Sequence, residues 1–331
     1  MPFSGLPYWR LSGFYLFYFA TLGILVPYWG LYLQWEGFSA RQIGELTAIL
    51  LATRIIAPNV WGWIADHRGQ RLQIVRLASL LSIVAFSGIF ISQSYYWIAV
   101  VLMVLLLSIS GIWLISLTVP ESASRHLSLN HIPIKQVLKQ PAVRAFLAIC
   151  FLMLVSHGPY YTFYSIYLEQ HGYSRTLIGQ LWALGVVAEL MVFLVMHRWL
   201  PRFGIRKVLL GSLLLAAFRW LLIALYADQV VMLIAAQSLH AASYGAFHAA
   251  SIAWVHQHFT GRNQGRGQAL YSSMSFGAGG AVGSLLSGYL WLTPGPEMTF
   301  MLAAVTAIGA FLIGFIWLKN SNSAMEKQPH Y

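Results

Sequence analysis

The sequence predicts an all-α, polytopic membrane protein of about ten transmembrane helices, and three observations carry the prediction. Charged residues make up only 9% of the 331, where a soluble domain carries about 25%. Hydrophobic residues reach 58% and aromatics 15%, with a mean hydropathy of +0.66. So few charges cannot clothe a water-facing surface, so most side chains must face lipid or one another. The apolar residues also fall in runs long enough to cross a bilayer core about 30 Å thick, which takes roughly 20 helical residues.

In chain order the runs are 11–33, 43–65, 75–94 and 97–119, then 145–167, 177–197, 207–227, 231–255, 268–291 and 298–318. The first reads as a span and not as a cleavable signal peptide, because it is long and no small-residue cleavage site follows it. Four spans therefore form an N-terminal bundle at 1–119, a basic cytoplasmic linker occupies 120–144, six spans form a C-terminal bundle at 145–318, and 319–331 is a tail. The short loops leave no room for a separate soluble domain.

A net charge of +11 would suggest nucleic acid in a soluble chain. Here it reflects lysine and arginine gathered on one membrane face. Of the 20 Lys and Arg, only Arg41 and Arg175 fall in outside loops and only Arg54 and Arg219 inside spans. The positive-inside rule then places both termini in the cytoplasm of a multi-pass inner (plasma) membrane protein. Cys150 is the only cysteine, which excludes an intramolecular disulfide framework, a Cys-based zinc site and an iron–sulfur cluster. No Ser–His–Asp, HExxH or phosphate-loop pattern is present, so the chain reads as no enzyme and as needing no cofactor or metal.

Two stretches repeat at an offset of 135 residues. Tyr32 and Leu33 return as Tyr167 and Leu168, and Gly37, Ser39, Ile43, Gly44 and Leu46 return as Gly172, Ser174, Ile178, Gly179 and Leu181. Gly69 and Arg71 return as Gly204 and Arg206, and Gly23 as Gly158. Parallel repeats of this kind build many secondary transporters, with the substrate site between the halves. The offset is short of a six-span half by about two helices and a turn. The expectation is therefore a 4 + 6 arrangement instead of 6 + 6, with the scar near Ser108–Gly111.

The run from Gly62 through Asp66, His67, Arg68, Gly69 and Gln70 to Arg71 resembles the signature loop of the major facilitator superfamily, with His67 and Gln70 in place of usual basic residues. The resemblance implies a conformational-switch loop of Gly62, Asp66, Arg68, Gly69 and Arg71. Narrower similarity lies in Gly23–Leu33, in Gly185–Glu189, in Arg219-Trp220, in Leu239-His240 and in Phe247–Ala250. These resemble the lactose-permease relatives, the 3-phenylpropionate permease branch in particular. In the sugar-transporting relatives, the positions matching Glu189, Arg219 and His240 serve substrate binding and proton coupling. Their further carboxylate, three residues after the histidine, is Ser243 here.

Ionisable side chains within spans are costly and usually face a bundle interior or a wet cavity. Arg54 and Glu189 occupy repeat-equivalent positions, one cationic and one acidic. Arg219 falls at the depth of Glu189, so the two could pair, either as a structural bridge or as part of a site. Arg54 has no obvious acid at its depth, and an unpaired guanidinium suits a carboxylate ligand. Substrate contacts are therefore expected from Arg54, Glu189 and Arg219, with Tyr28 and Trp29 as stacking rings, and proton coupling from Glu189, His240 and His248. Other rings of spans one and five (Tyr15, Tyr18, Tyr160, Tyr161 and Tyr164) could stack or simply belong to the membrane interfaces. The glycines from Gly277 to Gly288 read as close helix packing.

The expected function is secondary active transport: proton-coupled uptake of a small organic acid, such as an aromatic carboxylate, by a monomer. A sugar or nucleoside symporter is the alternative transporter reading. A membrane enzyme built on the in-span histidines would need clustered acids that are absent, and a shortened, non-transporting remnant stays open.

Overall fold

A computed structural model describes residues 23, 25–68, 80, 84, 87–102 and 133–318, the side chains of 53, 56–68 and 262 excepted. The start of the expected first span, half of the third, most of the fourth, the scar near 108–111, the tail, Tyr15, Tyr18, Gly69 and Arg71 lie outside the described residues. The described end of the third span closes in a 3-10 turn at Gly88–Phe90 and is not helical at 92–94, short of the expected limit. Every regular element among the described residues is helical.

Helix α1 covers residues 25–35, α2 runs Ala40–Arg68, and α3 covers 95–102. A short helix, α4 (Ile134–Lys139), ends the basic linker. Then come α5 (Pro141–Ser156), α6 (Gly158–Gln170), α7 (Arg175–Phe203) and α8 (Ile205–Leu225). Helices α9 (Val230–His240) and α10 (Ala246–His258) flank a π turn at Ala241–Gly245. Helices α11 (Gln264–Ser272) and α12 (Gly280–Leu292) flank a second at Ser273–Gly279. Helix α13 (Pro296–Trp317) closes the bundle. Five continuous segments are long and apolar enough to cross a membrane: Pro141–Gln170, Arg175–Phe203, Ile205–Leu225, Val230–His258 and Pro296–Trp317. Each overlaps an expected span, with limits that agree to within about two turns; Ile205–Leu225 and Pro296–Trp317 stop slightly short of the expected ends and the other three run past both.

The repeat is visible in the backbone. Helices α2 and α7 both have 29 residues and start 135 positions apart. Gly37 and Gly172, at φ 86° and 81°, reverse the chain before each of them. Such positive φ angles are open to glycine at no steric cost. Matching hydrogen bonds close both turns: Phe38 N to Leu33 O at 3.0 Å and Tyr173 N to Leu168 O at 3.1 Å. Ser174 caps α7 by accepting from Leu177 N, and Ser39 accepts from Gln42 N in the same way, which satisfies otherwise unpaired amides of each first turn. One expectation needs correction. The stretch beginning at Gly62 is not a loop up to Arg71, because α2 stays helical through Gly62 and Asp66 to Arg68.

Helices α2, α6 and α12 meet along glycines. A Cβ on Gly44 would lie 2.7 Å from Gly288 Cα, and one on Gly158 only 2.2 Å from the Gly283 carbonyl carbon. A Cβ on Gly277 would meet Ile55 Cγ1 at 2.7 Å. Helix α12 packs on α2 and α6 through these contacts, so the glycine run serves close packing, as its in-span position implied. Beside this seam Glu45 of α2 accepts from Tyr95 Oη at 2.9 Å and from Tyr289 Oη at 3.0 Å. Helix α13 lies against α8 and α5, and this leaves α5 to α10 around a polar centre in the C-terminal half.

Candidate functional site

Arg219, on α8, is fully buried. Its Nε donates to Ala236 O at 2.9 Å and its Nη2 to Gln237 Oε1 at 3.4 Å. Tyr160 Oη donates to the same amide oxygen at 3.0 Å. The guanidinium carbon lies 4.1 Å from the Tyr160 ring centre and 4.6 Å from that of Trp220. Two ring faces and two carbonyl-type oxygens thus support the cation, a combination that offsets much of its desolvation. Its Nη1 has no partner.

Glu189 was expected to be free to pair with Arg219, and it does not. Its Oε2 faces His240 Nε2 at 3.8 Å, a separation that a small approach would turn into a hydrogen bond. Two glycines cause this. A Cβ on Gly185 would sit 3.0 Å from Gln237 Oε1, and one on Gly245 would sit 2.9 Å from Glu189 Cγ. Their bare backbones let α7 close onto the α9–π-turn segment, which turns the carboxylate toward the histidine and leaves the arginine to the rings. The π turn directly after His240 also stacks Tyr244 on that imidazole, with centroids 5.1 Å apart and planes 7° off parallel. Such turns insert a residue into the helical ladder and re-aim the side chains around it.

The remaining expected site residues are dispersed. Tyr28 is at the helix ends, its Oη 3.4 Å from Arg175 O and seated over Gly179. Trp29 is buried against Tyr32 with centroids 5.8 Å apart. Neither reaches the arginine cage. His248 bonds to Tyr271 Oη through Nδ1 at 2.8 Å. Arg54 is half-buried, with its backbone against Gly277. No carboxylate among the described residues pairs with it. Gly62, Asp66 and Arg68 lie in the last turns of α2, away from this centre in sequence and on its final helical stretch.

Sequence reasoning missed His157, Gln237, Trp182 and Tyr244, which complete the centre. Gln237 is a lone amide in an apolar run, and Pro159 flags a mid-span irregularity two residues after His157. Those were the available signals. No group of three or more His, Cys, Asp or Glu among the described residues could hold a metal. The arrangement instead offers one buried cation with a free N–H, a carboxylate–imidazole pair able to hold a proton, and aromatic walls.

Membrane-length helices packed around such a buried polar centre are the architecture of a solute transporter. Residues 8–115 and 101–302 match the MFS_1 like family, and the chain belongs to it: it is a transporter of the major facilitator type. The chain is 25% identical to the probable 3-phenylpropionic acid transporter of Escherichia coli over 365 aligned positions, covering 90% of this chain and 94% of that protein. Its fold is that of the nucleoside transporter NupG. One solved structure, of a NupG variant, superposes with a TM-score of 0.72 at 13% identity, covering 90% of this chain and 96% of that one. Another, of NupG itself, gives 0.65 at 14%, covering 93% and 95%.

Proposed function

We propose that this transporter carries a small aromatic carboxylate into the cell together with protons, working as a monomer in the inner membrane with both termini cytoplasmic. The observation that carries the reading is the unpartnered Nη1 of Arg219 inside its aromatic cage. A guanidinium N–H buried without an acceptor costs of order 1–3 kcal/mol, and a carboxylate oxygen removes that cost with a charge-assisted bond. The neighbouring rings of Trp182 and Tyr244 suit an aryl group beside the acid. Glu189 and His240, side by side and next to the cation, suit a proton that arrives with the anion and leaves with it. Arg54, from the other half and without a described acid partner, supplies a second cationic contact. The name of the E. coli relative supports an aryl-propionate as the cargo.

The domain reading goes with this proposal: a four-span N-terminal bundle, a linker at 120–144 and a six-span C-terminal bundle. The 365-position alignment with the relative, longer than this chain of 331, supports a shortened half. So does the way the two family matches meet at 101–115, around the expected scar. A nucleoside symporter is the second reading, which the likeness to NupG favours through the fold alone.

Proteoliposome uptake of labelled 3-phenylpropionate, with and without an imposed inward proton gradient, tests the proposal. The expected result is gradient-stimulated uptake that excess unlabelled acid abolishes and excess neutral amide does not. Uptake of uridine in preference to the acid would establish the second reading, and no uptake of either would make the chain a non-transporting remnant.

A further inference from the structure

The span Pro141–Gln170 is continuous but has one irregular residue, His157, between α5 and α6. Pro159 lacks an amide proton and cannot continue the ladder to Val155. The carbonyl oxygen of Val155 is approached instead by the bare Gly283, where a Cβ would lie at 2.6 Å. A lost ladder bond at such a depth is tolerated where the backbone is enclosed in protein or lines a cavity.

His157 is fully buried and its ring has a fixed chemical polarity. Its Nδ1 lies 2.8 Å from Met153 O. A carbonyl only accepts, so Nδ1 carries the proton, and in the neutral ring Nε2 is a bare acceptor. That Nε2 has no partner. The ring stands edge-on to Trp220 at 4.7 Å, with Tyr244 at 5.5 Å and His240 at 6.3 Å. It therefore borders the arginine cage. His240 lies beside it, its Nε2 3.8 Å from Glu189 Oε2 and its Nδ1 without a partner.

A bare aryl-propionate carboxylate has only acceptors to offer. It would satisfy Arg219 and leave the His157 Nε2 lone pair empty. We infer that His157 is a specificity-determining residue whose Nε2 accepts a hydrogen bond from a hydroxyl on the cargo, so that the preferred substrate is a hydroxylated aromatic acid. The inference rests on the acid reading of the site and narrows it. Sites built to hydrogen-bond a substrate hydroxyl discriminate strongly against the analogue that lacks it, because the buried partner is otherwise left unpaired.

Binding of 3-phenylpropionate, its meta- and para-hydroxylated forms and uridine to the purified full chain tests this. Wild type should bind one hydroxylated acid at least about tenfold more tightly than the bare acid. His157→Phe keeps a ring against Trp220 but has no acceptor, and should erase that preference to within about twofold. His157→Gln, with an amide oxygen at similar reach, should retain most of the preference. It also reports if the phenylalanine variant fails to fold. Equal binding of bare and hydroxylated acids by wild type, or a preference that survives in His157→Phe, would overturn the inference while leaving the acid reading intact. If wild type binds no acid, the acid reading falls. Uridine binding weakened about tenfold in His157→Phe would then still sustain His157 as a reader of donors, and no binding of any ligand overturns both.

Discussion

Arg219 and Glu189 sit near one another yet are held by different partners, and this changes what their substitutions should do. Arg219→Gln loses two ring faces and two hydrogen bonds, about 2–4 kcal/mol of stability together. Arg219→Lys keeps the charge but not the planar fork that stacks on Tyr160 and bonds to Ala236, so it should lower thermal stability and weaken acid binding more than tenfold. Glu189→Gln touches only a 3.8 Å approach to His240 and should cost about 1 kcal/mol or less. The losses in a Glu189→Gln, Arg219→Gln double variant should add. A double variant more stable than Arg219→Gln alone would show that the two charges do interact directly. For Arg54, Arg54→Gln should remove acid binding but leave binding of the neutral amide unchanged, and equal loss of both would make it a scaffold residue. The in-span charges themselves were legible, because a lone arginine or glutamate in a long apolar run stands out. Their pairing was not. Counting residues along two helices gives depth but not facing direction, and here facing was decided by Gly185 and Gly245, whose role depends on what lies across the helix interface.

At the level of the elements, glycines of two kinds do separate jobs, and substitution should tell them apart. Gly172, at φ 81°, has open space around its missing Cβ, so Gly172→Ala pays only left-handed strain of about 1–2 kcal/mol. Gly158 has ordinary helical geometry, but a Cβ there would lie 2.2 Å from backbone of Gly283. Backbone cannot swing aside as a side-chain tip can, so Gly158→Ala should sharply reduce the yield of folded protein. Thermal unfolding of the two purified variants separates them, and a Gly158→Ala protein as stable as Gly172→Ala would mean that α6 and α12 can part at little cost. The reversing glycines were readable from the repeat, since Gly37 and Gly172 recur at the same offset as their flanking residues. Helix limits were readable to within about a turn or two. The π turns at Ala241–Gly245 and Ser273–Gly279 were not, because no local composition distinguishes an extra residue in a helix when packing across the bundle selects it. The end of α2 was misplaced for a related reason: a signature that looks like a loop can begin while the helix is still winding.

For the whole molecule, orientation is the property most directly open to test. A reporter fused after Lys319 should read cytoplasmic, given the crowding of lysine and arginine on one side of the spans; a reading on the opposite side would mean an odd number of crossings. The equal length of α2 and α7 has a consequence for the surrounding lipid. Twenty-nine helical residues reach about 43 Å, well beyond a hydrocarbon core of about 30 Å. Both helices must therefore lean or push their ends into the headgroup layer. One comes from each half of the repeat, so stretching or thinning the bilayer loads the two halves alike. Acyl-chain length should then act on transport as a mechanical variable, and uptake in vesicles of graded thickness should pass through a maximum instead of rising or falling steadily.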